Sequence, residues 1–329
     1  MDQRLAELQK WLEQDCQFAN YHLKTVAGGA SFRRYFRLTT DHHGYIVMDA
    51  PPGREDVADF IAIDETFLSL GLSVPKILRQ QQELGFLLLE DFGDDLYFNI
   101  LTNDNVDDLY NKAFDAILKI QSCQDMSRWS PPHLNYDFML KELQDFQEWY
   151  LIRHLQRTIS QREQVILDEA FEMIASVSAN QQPVCIHRDY HTQNLMLLQN
   201  NEIGILDFQN AMLGPITYDF VSLVKDCYKT WPDEKIHAWI VAFQKRLLDH
   251  GAAVPRIKEQ FIRDVEIMGL QRHLKAILTY ARKKERDSDG GYLQFIPVAL
   301  NYISNLTRRY SEFIPLVQVI QGNTDVKEE

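Results

Sequence analysis

Cysteine is scarce: Cys16, Cys123, Cys185 and Cys227 are the only four in 329 residues, and no two form a Cys-x-x-Cys pair. Such spacing argues against a zinc site or a disulfide framework and suits a reducing cytosol. Long apolar runs are missing too. No stretch approaches the roughly 20 apolar residues of a membrane span, and the opening MDQRLAELQKWLEQD has no apolar core of signal-peptide length. A cytoplasmic protein without membrane partners is expected. Positive charge is also in short supply: 34 Lys and Arg stand against 47 Asp and Glu, a formal net charge of −13. An acidic chain is a poor generic binder of nucleic acid, and an anionic ligand would need a local basic pocket or a metal ion. No internal repeat or low-complexity linker is present. What remains is an ordinary globular composition, 45% apolar and 25% charged. The length is too great for most single cores, so two lobes are expected.

The pattern changes along the chain. Residues 2–14 carry Leu5, Leu8, Trp11 and Leu12 on one helical stripe. Residues 22–50 read as two or three short strands around AGGASFRRYFRL, with YIVMDA as one of them. Helical spacing returns over 56–70 through Val57, Phe60, Phe67 and Leu68, and Gly71 is a stop signal. VPKIL and GFLLLEDFGD follow, the second a strand entering a turn. Beyond about residue 93 the spacing predicts helices over 104–122, 137–158, 161–177, 217–230, 234–249, 256–286 and 292–312. Ser160 and Glu163 form a capping-box signature ahead of the third. NLMLLQ and IGILDF, joined through Asn200 and Asn201, read as a hairpin embedded among these helices. The expected class is α+β and two-lobed: a strand-rich N-lobe over 1–92 and a mainly helical C-lobe over 93–329. The tail NTDVKEE is expected to fray.

One ordered set carries chemistry. Residues 185–194 read CIHRDYHTQN, and the later apolar run ends in ILDF. Phosphoryl transfer from ATP needs an oriented hydroxyl, a carboxylate that accepts its proton, and magnesium across the phosphates. Magnesium takes hard oxygen donors, often one or two from the protein. Asp189 suits the base, and Asn194, five residues on, can curl back to offer its amide oxygen. Asp207 comes off the far strand of the hairpin, which returns beside the start of the near one. His187 and His191 lack a third ligand for zinc. Gly28 and Gly29, with Ala30 and Ser31, mark a turn where backbone N–H groups can approach phosphate oxygens.

HRDYHTQN with LDF resembles the catalytic and metal loops of the protein-kinase-like superfamily, most nearly the aminoglycoside phosphotransferase and choline kinase group. AGGASFRRYFRL resembles that group's phosphate-loop hairpin. LLLEDF, with Glu90, Asp91 and Phe92, resembles the hinge that meets adenine through backbone groups. GPITYDFVSLVKDCY resembles the helix after the metal loop, with Asp219 anchoring the catalytic loop that His187 braces. Together with VMDAPP and MGLQRHLKAIL, these segments are similar to the anomeric amino-sugar kinases of bacterial cell-wall recycling, over about residues 25–305.

That resemblance implies a kinase using ATP and Mg²⁺ to phosphorylate the C1 hydroxyl of N-acetylmuramate or N-acetylglucosamine. The product would be the α-1-phosphate, substrate for a nucleotidyltransferase with no stable complex implied. Gln271, Arg272, His273 and Lys275 lie on one predicted helix, either as a solvated face or with Arg272 or a neighbour such as His273 receiving the lactyl carboxylate. Asp226 and Tyr228 are candidates for the sugar hydroxyls. His191 is either a solvated loop residue or a substrate contact. Two departures stand out. Gln209 replaces the glycine of Asp-Phe-Gly, so no in/out switch is expected there. The superfamily's N-lobe lysine is missing, its place falling near Met48 or Asp49. Arg33 and Arg34 are the nearest substitutes, and Glu65 is a candidate for the acid that would have paired with it. Two rivals remain open: another hydroxyl acceptor (aminoglycoside, choline-like, hydroxy-amino acid or protein), and a nucleotide-binding pseudokinase scaffold.

Overall fold

The computed structural model describes residues 2–26, 32–54 and 56–322. In chain order the first elements are α1 (Gln3–Gln14), β1 (His22–Val26), β2 (Arg34–Thr39), β3 (Gly44–Asp49), α2 (Val57–Ser69), β4 (Ile77–Gln81), β5 (Phe86–Glu90), α3 (Tyr97–Ile100) and α4 (Val106–Gln121). Then come α5 (Tyr136–Phe146), α6 (Gln161–Ala179), β6 (Pro183–Ile186), β7 (Leu195–Leu197), β8 (Ile203–Ile205), β9 (Met212–Pro215) and α7 (Tyr218–Val224). The chain closes with α8 (Asp233–Asp249), α9 (Lys258–Asp287), α10 (Ile296–Leu306) and α11 (Ile314–Gln321). These elements form two compact units, residues 1–130 with 194–210 and residues 131–193 with 211–329.

The first unit is built on an antiparallel sheet in the order β1-β2-β3-β5-β4. Asp2 caps α1 by accepting from the N–H groups of Arg4 and Leu5. The apolar stripe Leu8, Trp11 and Leu12 then packs on Phe36, Leu38, Val47, Phe86 and Leu88. Side chains alternate across a strand, so Arg34, Phe36 and Leu38 share the α1 face while Tyr35 and Arg37 point to the other. Truncating Leu8, which is fully buried, would cost about 2–5 kcal/mol. The β7–β8 hairpin belongs to this unit and bridges Ser73 and Leu96 through Gly204 and Met196. At Gly204 a Cβ would lie 2.7 Å from the Phe92 ring, so only glycine lets that ring settle on the hairpin.

In the second unit α9, 30 residues long, is the central element. It packs on α5, α6, α7, α8 and α10, and buried residues occupy most of its circumference. Strands β6 and β9 pair antiparallel.

The α+β class stands, with an antiparallel sheet followed by a mainly helical remainder. Local details differ from the sequence expectations. The helix expected over 137–158 turns π-helical at Gln147–His154. The one expected over 217–230 stops at Val224, because the next residues bend so that Asp226 accepts from the Tyr228 N–H. The stretch 292–312 is a short 3₁₀ turn, then α10, then another 3₁₀ turn at Ser311–Phe313. The β6–β9 ribbon and α11 were not anticipated. PVCI is too short for its period to separate strand from buried helix.

Candidate active site

In the second unit β6 ends at Ile186 and the chain enters the loop 187–193. Two buried carboxylates carry that loop. Asp219, in the first turn of α7, accepts from the N–H groups of His187 at 2.6 Å and Arg188 at 2.9 Å. Asp226 accepts from the Thr192 N–H at 3.0 Å, the Thr192 hydroxyl at 2.5 Å and the Tyr228 N–H at 2.8 Å. Bonds to a charged acceptor are worth about 1.5–3 kcal/mol each, and a buried N–H left alone would cost about as much. Burial raises both acids despite these bonds, Asp226 to about 6. The His187 ring accepts from the Asp189 N–H through Nδ1 at 3.3 Å. Arg188 sits at φ 76°, a left-handed conformation that costs on the order of 1 kcal/mol for a non-glycine residue. Its guanidinium is held by Glu142 at 3.1 Å and lies over the Phe138 ring.

The Asp189 carboxylate is mostly buried and meets α9. Lys275 donates to its Oδ1 at 3.2 Å. Burial would push the Asp189 carboxyl up, but the charges of Lys275, then Arg272, with Arg188 behind them, hold it well below the usual carboxylate range. His191 is pushed down to about 3, chiefly by burial, and is neutral at pH 7.

The other candidates on this side have protein partners. Arg272 donates to the Ser222 hydroxyl at 2.8 Å and lies over the Tyr218 ring. His273 bonds the Lys225 carbonyl at 3.0 Å, stacks on Tyr302, and is lowered to about 3, chiefly by burial. Tyr228 packs between His191 and Phe295, at 5.1 and 4.7 Å. Asp226 and His273 thus direct polar atoms at the protein itself, while Arg272 keeps a buried Nε without a hydrogen-bond partner. Lys275, which sequence reading set with Gln271, Arg272 and His273 as a solvated face or the neighbourhood of a carboxylate receptor, is in contact with Asp189. Its position 86 residues along the chain left no local signal.

Asn194 and Asp207 belong to the first unit. The β7–β8 pairing sets Leu195 opposite Ile205, and the Leu206 N–H donates to the Asn194 carbonyl at 2.9 Å. The hairpin therefore returns Asp207 beside Asn194. Asp207 has φ 61° and accepts from the Gln209 amide at 2.6 Å. Among the described residues no lysine or arginine pairs with it, and its side chain is exposed. A carboxylate without a cation beside an amide side chain is donor chemistry that fits a hard divalent ion. Phe208 is buried against Phe60 and Phe67 of α2, at 4.8 and 5.9 Å. Asp64, on the same α2 face, is buried with Oδ1 unpartnered, and burial pushes it up to about 7. Glu65 points elsewhere and pairs with Arg128 at 2.8 Å, both side chains more than half exposed.

On the sheet, Met48 is buried and apolar where the lysine was sought. Asp49 faces α1 and is taken by Arg4 at 2.6 Å and Arg34 at 2.8 Å; Arg34 also reaches Asp2. Arg34 is thus committed to acids on the α1 face, while Arg33 lies partly buried just ahead of β2. Arg37, on the opposite face, clamps the segment after β5: it reaches Asp91 at 2.7 Å, Asp94 at 2.7 Å and the Gly93 carbonyl at 2.8 Å. Sequence reading overlooked it. Glu90 donates its N–H to the Lys76 carbonyl at 3.0 Å, and Phe92 lies against the hairpin. Gly28, Gly29, Ala30 and Ser31 lie outside the described residues.

The chain belongs to the phosphotransferase enzyme family, whose model matches residues 22–259. Curated relatives narrow the similarity. The chain is 35% identical to the N-acetylmuramate/N-acetylglucosamine kinase of Pseudomonas putida, over 97% of this chain and 96% of the relative. It is 36% identical to the protein of that name from Pseudomonas aeruginosa, over 90% and 86%. Among solved structures, the GDP complex of aminoglycoside 2'-phosphotransferase-IIIa matches with a TM-score of 0.65 at 14% identity, covering 92% of this chain and 99% of that one. A choline/ethanolamine kinase family protein from Mesorhizobium loti matches with a TM-score of 0.64 at 13% identity, covering 97% and 99%. Identities this low show the shared fold. Among the described residues no helix is long and apolar enough to cross a membrane.

Proposed function

We propose that this chain is an ATP-dependent sugar kinase. It phosphorylates the anomeric hydroxyl of N-acetylmuramate and/or N-acetylglucosamine to give the α-1-phosphate. The observation that carries the reading is the Asp189 carboxylate, fixed in a loop hung from Asp219 and Asp226, in a chain similar over nearly its whole length to kinases of that name.

Asp189 orients the C1 hydroxyl and accepts its proton. Because cations hold Asp189 in its ionised form, proton acceptance comes late, as a loose phosphoryl-transfer transition state allows. Asn194 and Asp207 hold Mg²⁺, which supplies neutralising charge to the phosphates when bound. Residues 1–92 form the nucleotide lobe, with backbone groups of Glu90–Phe92 taking adenine and those of 28–31 the phosphates. Residues 93–329 provide the catalytic and sugar-binding part, in which Tyr228 holds a sugar hydroxyl. The product is consumed by a nucleotidyltransferase in cytoplasmic cell-wall recycling. The cations beside Asp189 disfavour a cationic acceptor such as an aminoglycoside and suit an anionic one.

The test is phosphorus NMR of the protein with Mg-ATP and either sugar. A proton-coupled sugar-1-phosphate doublet is expected. Asp189→Asn should lose turnover by about 10²–10⁴-fold while still binding Mg-ATP. ADP formed only with another hydroxyl would move the acceptor. No transfer to any acceptor would leave a binding module, and near-normal turnover in Asp189→Asn would remove that residue from the chemistry.

A further inference from the structure

At the strand position where the superfamily resemblance implies a lysine, the chain has Met48. Met48 is apolar and fully buried, and Arg34 is held by Asp49 and Asp2 on the α1 face of the sheet. Within the loop 187–193, the Arg188 guanidinium is held by Glu142 and His191 is neutral. Lys275 differs from all of these. Its side chain is only 14% exposed, and its ammonium lies 3.2 Å from Asp189 Oδ1, with no other carboxylate paired to it among the described residues. Setting an ammonium and a carboxylate in a site this poorly hydrated is costly unless function or additional bonding offsets it.

Geometry suggests what the ammonium does. A hydroxyl hydrogen-bonded to Asp189 stands about 2.7 Å from the carboxylate oxygen, so the phosphorus it attacks lies within a few ångströms of the same atom. Lys275 contacts that carboxylate already. An ammonium carries three donors on a flexible stem; one reaches Asp189, which leaves donors to turn toward a phosphoryl oxygen without movement of α9.

We propose that Lys275 is a catalytic residue whose ammonium rests on Asp189 in the free protein and engages the non-bridging oxygens of the phosphoryl group during transfer. This rests on the kinase reading above. In the step, the bond from the sugar C1 oxygen to the γ-phosphorus forms and the bond from the γ-phosphorus to the β–γ bridging oxygen breaks. ADP leaves with that electron pair. The hydroxyl proton passes to Asp189, and Lys275 stays protonated throughout. Its task is to match charge that spreads over the phosphoryl oxygens, and to release the Asp189 oxygen that the acceptor hydroxyl needs.

The test compares wild type, Lys275→Met and Lys275→Arg, after thermal unfolding has shown which are folded. Both sugars serve as acceptors, because N-acetylglucosamine lacks the lactyl carboxylate of N-acetylmuramate. Lys275→Met is expected to lose about 10²–10³-fold in kcat, equally with both sugars, while KM for each sugar and for ATP moves only a few-fold. Lys275→Arg should recover part of that loss. Binding of Mg-ADP with vanadate should fail in Lys275→Met while Mg-ADP alone still binds, which a merely structural lysine would not produce. A defect confined to KM for N-acetylmuramate would overturn the proposal and make Lys275 a carboxylate receptor. Turnover of Lys275→Met within threefold of wild type would overturn it as well. If Lys275→Met does not fold, Lys275→Gln replaces it in the same comparison. A wild-type protein that phosphorylates neither sugar would sink the kinase reading itself, an outcome distinct from failure of the Lys275 assignment alone.

Discussion

Residues 187–193, which carry Asp189, hang from two buried carboxylates, whereas residues 206–210, which carry Asp207, are held by an aromatic ring. Asp219 and Asp226 take N–H groups at both ends of the first segment. Phe208 sinks between Phe60 and Phe67 to hold the second. Both segments contain a non-glycine residue in left-handed backbone, Arg188 in one and Asp207 in the other. The two kinds of anchor do different things. Hydrogen bonds to a charged acceptor fix distance and direction, which the proton acceptor proposed above requires. Ring packing fixes burial but leaves freedom to slide, which suits the metal-binding role proposed above for the exposed Asp207 carboxylate. The loop is therefore built for aim, and the hairpin end for attachment.

Phe208→Ala should have the largest effect on stability, a loss of about 3–5 kcal/mol read from urea unfolding, with kcat little changed in the protein that remains folded at saturating Mg²⁺. Asp219→Asn should reverse the balance. The amide can accept one loop N–H but presents its own N–H to the other, so stability falls by about 2–3 kcal/mol, while kcat falls more than tenfold. If Phe208→Ala cuts kcat more than Asp219→Asn does, the distinction between aim and attachment is wrong.

A smaller effect sharpens the same contrast through Asp64, an acid as buried as Asp219 but with an unpartnered oxygen. Its folded-state value is raised to about 7 from 3.8. Between those values the folded protein holds a proton that the unfolded chain has released, so stability falls as pH rises across that window. Asp64→Asn should be more stable than wild type by about 1–2 kcal/mol at pH 8, roughly 2–4 °C in Tm, with a smaller gain at pH 5. An equal gain at both pH values would show that ionisation of Asp64 is not the cause.

Much of the fold was legible because its signals are local. The α1 stripe, the Ser160–Glu163 capping box and the hairpin around Asn200 and Asn201 each declare themselves within a few residues. The end of α7 did not, because it depends on which backbone groups Asp226 captures. Of the proposed site, the return of Asp207 beside Asn194 could be read directly, since a hairpin sets it. The partners of those residues could not. Arg34 and Arg37 look alike in FRRYFRL, yet the three-residue step between them puts them on opposite faces of β2. Which face meets α1 is decided only when Leu8, Trp11 and Leu12 pack there.

By itself, then, the sequence determined the periodic elements, the α+β class and the order of the chemical residues. All of these follow from backbone geometry and the spacing of neighbours along the chain. Tertiary structure decided which charges are cancelled and which remain available. It set Arg34 against Asp49, gave Arg37 to the segment after β5, and brought Lys275 to Asp189. Charge interactions depend on distance and on the exclusion of water, and neither exists until segments far apart in the chain have packed.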